Sequence, residues 1–233
     1  MHGLPAAAAG TTIRLPALAP LADRLADLGG DALSTVMRVM AARPAHKPLH
    51  PRGRLVTARL HHELAGPPTG VPWLDEPGAQ EVLVRFSRAV GLPGPLPDIH
   101  GVAVRVPKEE GHGDLLFATT GLGPASRFLL TVSRRLGGRP LTTLLPYRTP
   151  GGPLLLALRE LDEDRFELLA AHAGGSWSRV GWLAVIGDAD AEHEQRLVSF
   201  DPVRNEVPGL TNYEWVRRLR EPSYAFARRQ RRS

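Results

Sequence analysis

Tyr224 stands four residues after Arg220 and just ahead of Arg228, Arg229 and Arg231. A surface tyrosine gains nothing from such company. A phenol that must ionise to bind ferric iron does gain, because nearby guanidinium groups favour the phenolate, and tyrosine is an axial haem ligand in some proteins. Alone, an R-x-x-x-Y string in an arginine-rich chain is weak. Far upstream, His50 lies in a local group with His46, His61, His62 and Glu63. An imidazole titrating near neutrality can shuttle a proton to and from a bound substrate. The same group also invites comparison with a metal-dependent hydrolase such as a phosphodiesterase. Its spacing fits no H-E-x-x-H or similar signature, and no separate Asp/His motif completes a two-metal site.

Elements along the chain must bring such distant groups together. Residues 1–20, with Pro5, Pro16 and Pro20, read as an extended arm. Leu21 to Met40 has helical spacing broken at Gly29-Gly30 and restarted at Asp31, a suitable N-cap. Residues 1–45 are thus assigned to an N-terminal arm and helices, and 46–233 to the main domain. Residues 43–53 form a proline-rich loop. Arg54–Leu60, Glu81–Arg88, Gly101–Pro107 and Asp114–Thr120 are β-rich runs with Gly/Pro connections. Phe128–Leu136 and Leu154–Asp162 read as helices, Val180–Ile186 and Arg196–Phe200 as strands, and Thr211–Leu219 as the start of a terminal helix. The expected class is α+β, an antiparallel barrel with flanking helices.

Composition narrows the chemistry. The 233 residues suffice for a substantial core. No cysteine is present, which excludes disulfides and thiolate-held metals. The net charge of +5 raises nucleic acid as a partner. Only Lys47 and Lys108 among the 29 basic residues are lysine, and 24 Gly and 22 Pro accompany them, so a compositional bias explains the charge better than a designed basic face. An aromatic content of 6% leaves few stacking platforms for single strands. No secretory pattern precedes the apolar run Ala6–Ala9, and no run of about 20 apolar residues exists. A cytoplasmic monomer or homodimer is expected, without nucleic-acid partner or membrane span.

Five segments, in order, resemble the haem-dependent catalase superfamily. His50-Pro51-Arg52-Gly53 is similar to its H-x-R-G, and Val84-Arg85-Phe86-Ser87 to its V-R-F-S. Asp98-Ile99-His100-Gly101-Val102-Ala103-Val104 resembles D-x-x-G-x-A-V, with Gly113-Asp114-Leu115 after it. Glu192-His193-Glu194-Gln195, Phe200-Asp201-Pro202 and Val207-Pro208-Gly209 resemble E-x-E-Q…F-x-P…V-P-G. Arg220, Tyr224, Arg229 and Arg231 complete the pattern. The likeness covers about residues 47–231. With a shortened middle and nothing past the proximal helix, it points to a small catalase-related haem peroxidase.

That resemblance implies haem b as cofactor, with a peroxide and a reductant as small-molecule partners. Tyr224 would be the proximal ligand to the haem iron, and Arg220, one helical turn earlier, would stabilise its phenolate. His50 would be the distal catalytic histidine and Ser87 would hold its ring. Arg85 and Arg231 would clamp the haem propionates. Lys47 would assist them with a point charge where the family has a two-pronged arginine. Phe128 would stack on the ring.

Two further departures matter. The family's distal asparagine falls at Ala118 or Thr119, so hydrogen peroxide disproportionation should suffer more than peroxidase or organic hydroperoxide chemistry. Pro222 lies between Arg220 and Tyr224, where a proline disturbs the helix. A haem-free barrel serving binding or structure is the alternative.

Overall fold

The computed structural model describes residues 53–89, 91, 96–172, 174–189, 198–218 and 220. The expected N-terminal arm and helices, the loop bearing Lys47 and His50, and Tyr224 with Arg231 lie outside them.

Ten strands make one antiparallel sheet: β1 (Gly53–His62), β2 (Gly78–Arg88), β3 (His100–Pro107), β4 (His112–Thr119), β5 (Leu141–Thr142), β6 (Tyr147–Thr149), β7 (Gly152–Asp162), β8 (Arg165–His172), β9 (Ser178–Asp188) and β10 (Thr211–Asn212). A short helix, α1 (Pro72–Asp75), crosses between β1 and β2. The lateral order runs β10-β6-β7-β5-β4-β3-β2-β1-β9-β8, and a β7–β8 pairing joins the ends of its main part. Eight strands therefore close into a barrel, which leaves it no open edge. Strands β6 and β10 form a flap on β7.

Alternation along the early strands sorts residues to two faces. Val56, Ala58, Leu60, Val82, Val84, Val102, Val104, Leu115 and Phe117 point inward and meet Leu156, Leu158, Phe166, Leu168 and Leu183 in one core. Burial of each large apolar side chain contributes about 1.5–3 kcal/mol.

The second half departs from the sequence expectation. Leu154–Asp162 is strand, not helix. Leu154, Leu156 and Leu158 face the core, but Leu155 and Ala157 on the opposite face are also buried. A strand covered on both sides loses its polar alternation and reads as a continuous apolar run. β8, which drew no assignment from sequence, has the same cause: Leu168, Leu169, Ala170 and Ala171 are all buried. Phe128–Leu136 is not a helix either; short 3₁₀ turns at Ser126–Phe128 and Leu136–Gly138 flank extended chain. Val198–Phe200 carries no regular element, and Thr211–Asn212 belongs to β10, so the terminal helix begins only at residue 214.

Candidate functional site

The chemistry-bearing residues gather on the outside of the barrel. Since Val82, Val84 and Phe86 face the core, alternation turns Arg85 and Ser87 outward. Strand register then aligns Gly53 with Ser87, Ser87 with Gly101, Gly101 with Ala118, Ala118 with Thr142, and Thr142 with Ala157. This is a transverse row of small side chains. Five steps at strand spacing span about 24 Å. A parallel row places Leu55, Arg85, Ala103 and Leu116 beside it. Ser87, Arg85, Ala118 and Leu116 of these two rows are partly exposed, whereas Leu55, Gly101, Ala103, Thr142 and Ala157 are buried.

The near end of the row depends on a glycine. A Cβ at Gly53 would come within 2.6 Å of Arg85 Nε and 2.8 Å of the Phe86 carbonyl oxygen. Any other residue would push Arg85 aside or move β1 off β2. The Ser87 hydroxyl donates to the Gly101 carbonyl at 3.3 Å, tying β2 to β3 within the row.

The far end is built around a strained turn. Thr142 Oγ1 donates to the Arg127 carbonyl at 2.8 Å and accepts from Thr120 Oγ1 and the Leu144 N–H. This anchors the 3₁₀ turn that carries the half-buried Phe128. Leu144 has φ of 62°, and the Leu145 N–H reaches the Thr143 carbonyl at 2.6 Å. A γ-turn with positive φ at a leucine is rare and strained. That carbonyl also accepts Arg220 Nη2 at 3.3 Å. The guanidinium expected to accompany Tyr224 thus docks one residue beyond the row.

Buried polar contacts hold the segment that delivers Arg220. Asp114, fully buried, accepts Arg105 Nε and Nη2 at 2.8 and 3.0 Å, and Asn205 Nδ2 and the Asp201 N–H at 2.8 Å each. Arg105 also lies over the Phe200 ring. Farther on, Glu206 accepts the Asn212 N–H and Arg217 Nη2. Burial alone would raise its pKa, but these donors prevail and hold it below the ordinary carboxylate value.

Of the residues expected from sequence, Ser87 lies in the row and Arg85 in the parallel one, while Arg220 reaches the Thr143 carbonyl and Phe128 sits on the turn that Thr142 anchors. Ala118 and Thr119, where the resemblance puts the distal asparagine, point to opposite faces. Ala118 lies in the row and has no hydrogen-bonding side chain. Thr119 turns to the other face, where its hydroxyl donates to the Thr131 carbonyl and accepts the His100 N–H. Neither replaces an amide. Sequence reasoning missed Gly53, Thr142 and Thr143 as parts of the site; only the strand register reveals them.

Of the histidine group, His46 and His50 lie outside the described residues, and His61 and His62 meet different partners. His61 stacks on Trp182 at 3.7 Å, whereas neighbouring His62 approaches Gln80 and meets the edge of Trp73. Among the described residues, no three His, Asp or Glu side chains are grouped to hold a metal ion. Nor, among them, is any helix long and apolar enough to cross a membrane.

The closed antiparallel barrel is the fold of the catalases. A bacterial catalase and a fungal catalase each superpose with a TM-score of 0.58 at 14% identity, over 98% of this chain. The chain spans 63% and 66% of their respective lengths, slightly less than two thirds. No protein-family model and no curated protein sequence matches it.

Proposed function

We propose that the chain binds haem b on its outer row and acts as a catalase-related haem protein on hydroperoxides. One observation carries this assignment. The row starts at Gly53, three residues after His50, and passes through Thr142, whose neighbour Thr143 receives Arg220, four residues before Tyr224.

A stretch of the row would seat a planar, apolar ring with acidic edges. Its side chains are small, Arg85 borders it, and the crowded Gly53 preserves the space that Arg85 uses. Arg85, Arg231 and Lys47 would pair with propionates, while Tyr224 as phenolate would face the iron beside Arg220. Bound haem supplies the iron redox chemistry that breaks a peroxide O–O bond. His50 would take a proton from the peroxide and return it to the departing oxygen. With its proton directed to Gly101, the Ser87 hydroxyl offers lone pairs to a His50 N–H. That contact would leave the other ring nitrogen free as the base.

Ala118 gives the row no amide to steady hydrogen peroxide, which favours an organic hydroperoxide with a separate reductant. The same absence favours, as a second view, a barrel that has given up haem. Titrating purified protein with hemin decides between them. A saturable Soret band at one hemin per chain is expected; a spectrum of free hemin overturns the assignment.

A further inference from the structure

Five large aliphatic side chains stand exposed among the described residues, and three of them, Leu96 (48%), Leu129 (56%) and Val132 (55%), lie on two adjoining segments. A lone exposed leucine is ordinary, but a group of them marks a surface that meets something. The two segments are joined through their backbones: Asp98 and Ser133 exchange N–H···O bonds of 2.9 and 2.8 Å. Both of these side chains are buried, so alternation turns the flanking Ile99, Val132 and Arg134 to the outer side. Arg88 Nη2 donates to the Leu96 carbonyl at 2.8 Å, and the Thr131 N–H to the Thr119 carbonyl at 2.8 Å. Arg88 ends β2 and Thr119 ends β4, on either side of the start of β3. The aliphatic stripe is thus fixed to one mouth of the barrel.

Its exposed charge has a single sign. The Ser133 hydroxyl donates to the Arg135 carbonyl at 2.7 Å, and the Gly138 N–H returns to the same oxygen at 3.2 Å. This tight loop leaves Arg134, Arg135 and Arg139 exposed. Arg135 pairs with Glu160 at 2.8 Å; among the described residues no carboxylate pairs with Arg134 or Arg139.

We propose that this stripe docks the barrel on an anionic lipid bilayer. Leu96, Leu129 and Val132 enter the headgroup boundary while the guanidiniums meet lipid phosphates. Branched aliphatic side chains offer nucleic acid no stacking face, and apposing two copies would set like charges against each other. The surface needs no cofactor and stands independently of the haem assignment.

The test is co-sedimentation of the full chain with vesicles of phosphatidylcholine, alone or mixed with phosphatidylglycerol. The parent should pellet with the mixed vesicles and stay in solution with the neutral ones. Arg134→Gln with Arg139→Gln should weaken binding about fivefold for each arginine removed. Leu129→Asn with Val132→Asn should weaken it at least about tenfold, with parental melting because both side chains are exposed. Arg228, Arg229 and Arg231 would also draw the chain to acidic lipid, so the aliphatic pair decides. Parental affinity in that variant overturns the proposal, as does a parent that ignores the mixed vesicles. A parental dimer that the aliphatic pair dissolves, without vesicle binding, gives the stripe to a second copy instead. Should the pair unfold, Leu129→Thr alone replaces it and is read the same way.

Discussion

Arg220 and the carbonyl of Thr143 meet at 3.3 Å although 77 positions separate them in sequence. Thr143 follows Thr142, the residue that pairs with Ala118 in the small-residue row. This contact fixes the last described helical residue beside the corner that follows β5.

Gly53→Ala tests the near end. Its methyl group would stand 2.8 Å from a backbone oxygen that cannot swing away. Overpacking of this kind costs about 1–3 kcal/mol. Thermal unfolding should show that loss, and hemin affinity should fall with it because Arg85 is displaced. An unchanged melting temperature would mean that β1 can shift freely.

Ala118→Leu separates surface from scaffold. Ala118 is only half-buried on the outer face, while its neighbours Leu115 and Phe117 fill the core. The larger side chain should leave melting nearly unchanged, within roughly 0.5 kcal/mol as for most surface changes. Hemin binding should drop at least about tenfold if the ring lies there, a loss of about 1.4 kcal/mol. Full affinity would move the ring elsewhere.

Tyr224→Phe and His50→Ala should have opposite signatures. The first should abolish stable hemin binding, since it removes the proposed iron ligand. The second should retain the Soret band but lose peroxide turnover, measured with hydrogen peroxide and an alkyl hydroperoxide in parallel. Unaltered spectra in Tyr224→Phe would take that residue off the metal.

The haem-free barrel should weaken as pH falls below neutrality. Burial chiefly holds His100 below the ordinary imidazole value; Arg88 adds to this, against the Ser133 carbonyl and Asp98. His62 is likewise depressed, first by burial and then by His61. A base protonated more readily when unfolded gives stability that is complete above its unfolded value and declines below it. Melting temperature should therefore be level above about pH 6.5 and decline beneath it. His62→Gln should reduce that slope; an identical slope would discard His62 as a contributor.

The sequence exposes the half of the barrel whose strands have one wet face. β1 to β4 alternate apolar and polar residues or carry the expected motifs, so their place follows from period two. β7 and β8 do not, because Leu155, Ala157, Leu169 and Ala171 are buried on the outer face as well. V-R-F-S drew attention to Arg85 and Ser87, and the spacing from Tyr224 to Arg220; strand register adds only that the first two face outward. Gly53's collision with Phe86 and the Thr142–Thr143 corner depend on cross-strand register, which one strand's composition does not encode.

The position of the row outside the cylinder has an evolutionary consequence. Inward-facing leucines, valines and Phe166 hold the scaffold together, and outward-facing small residues bear whatever rests upon it. Selection can therefore rework the exterior lodging, or abandon its guest entirely, while the interior keeps the same shape.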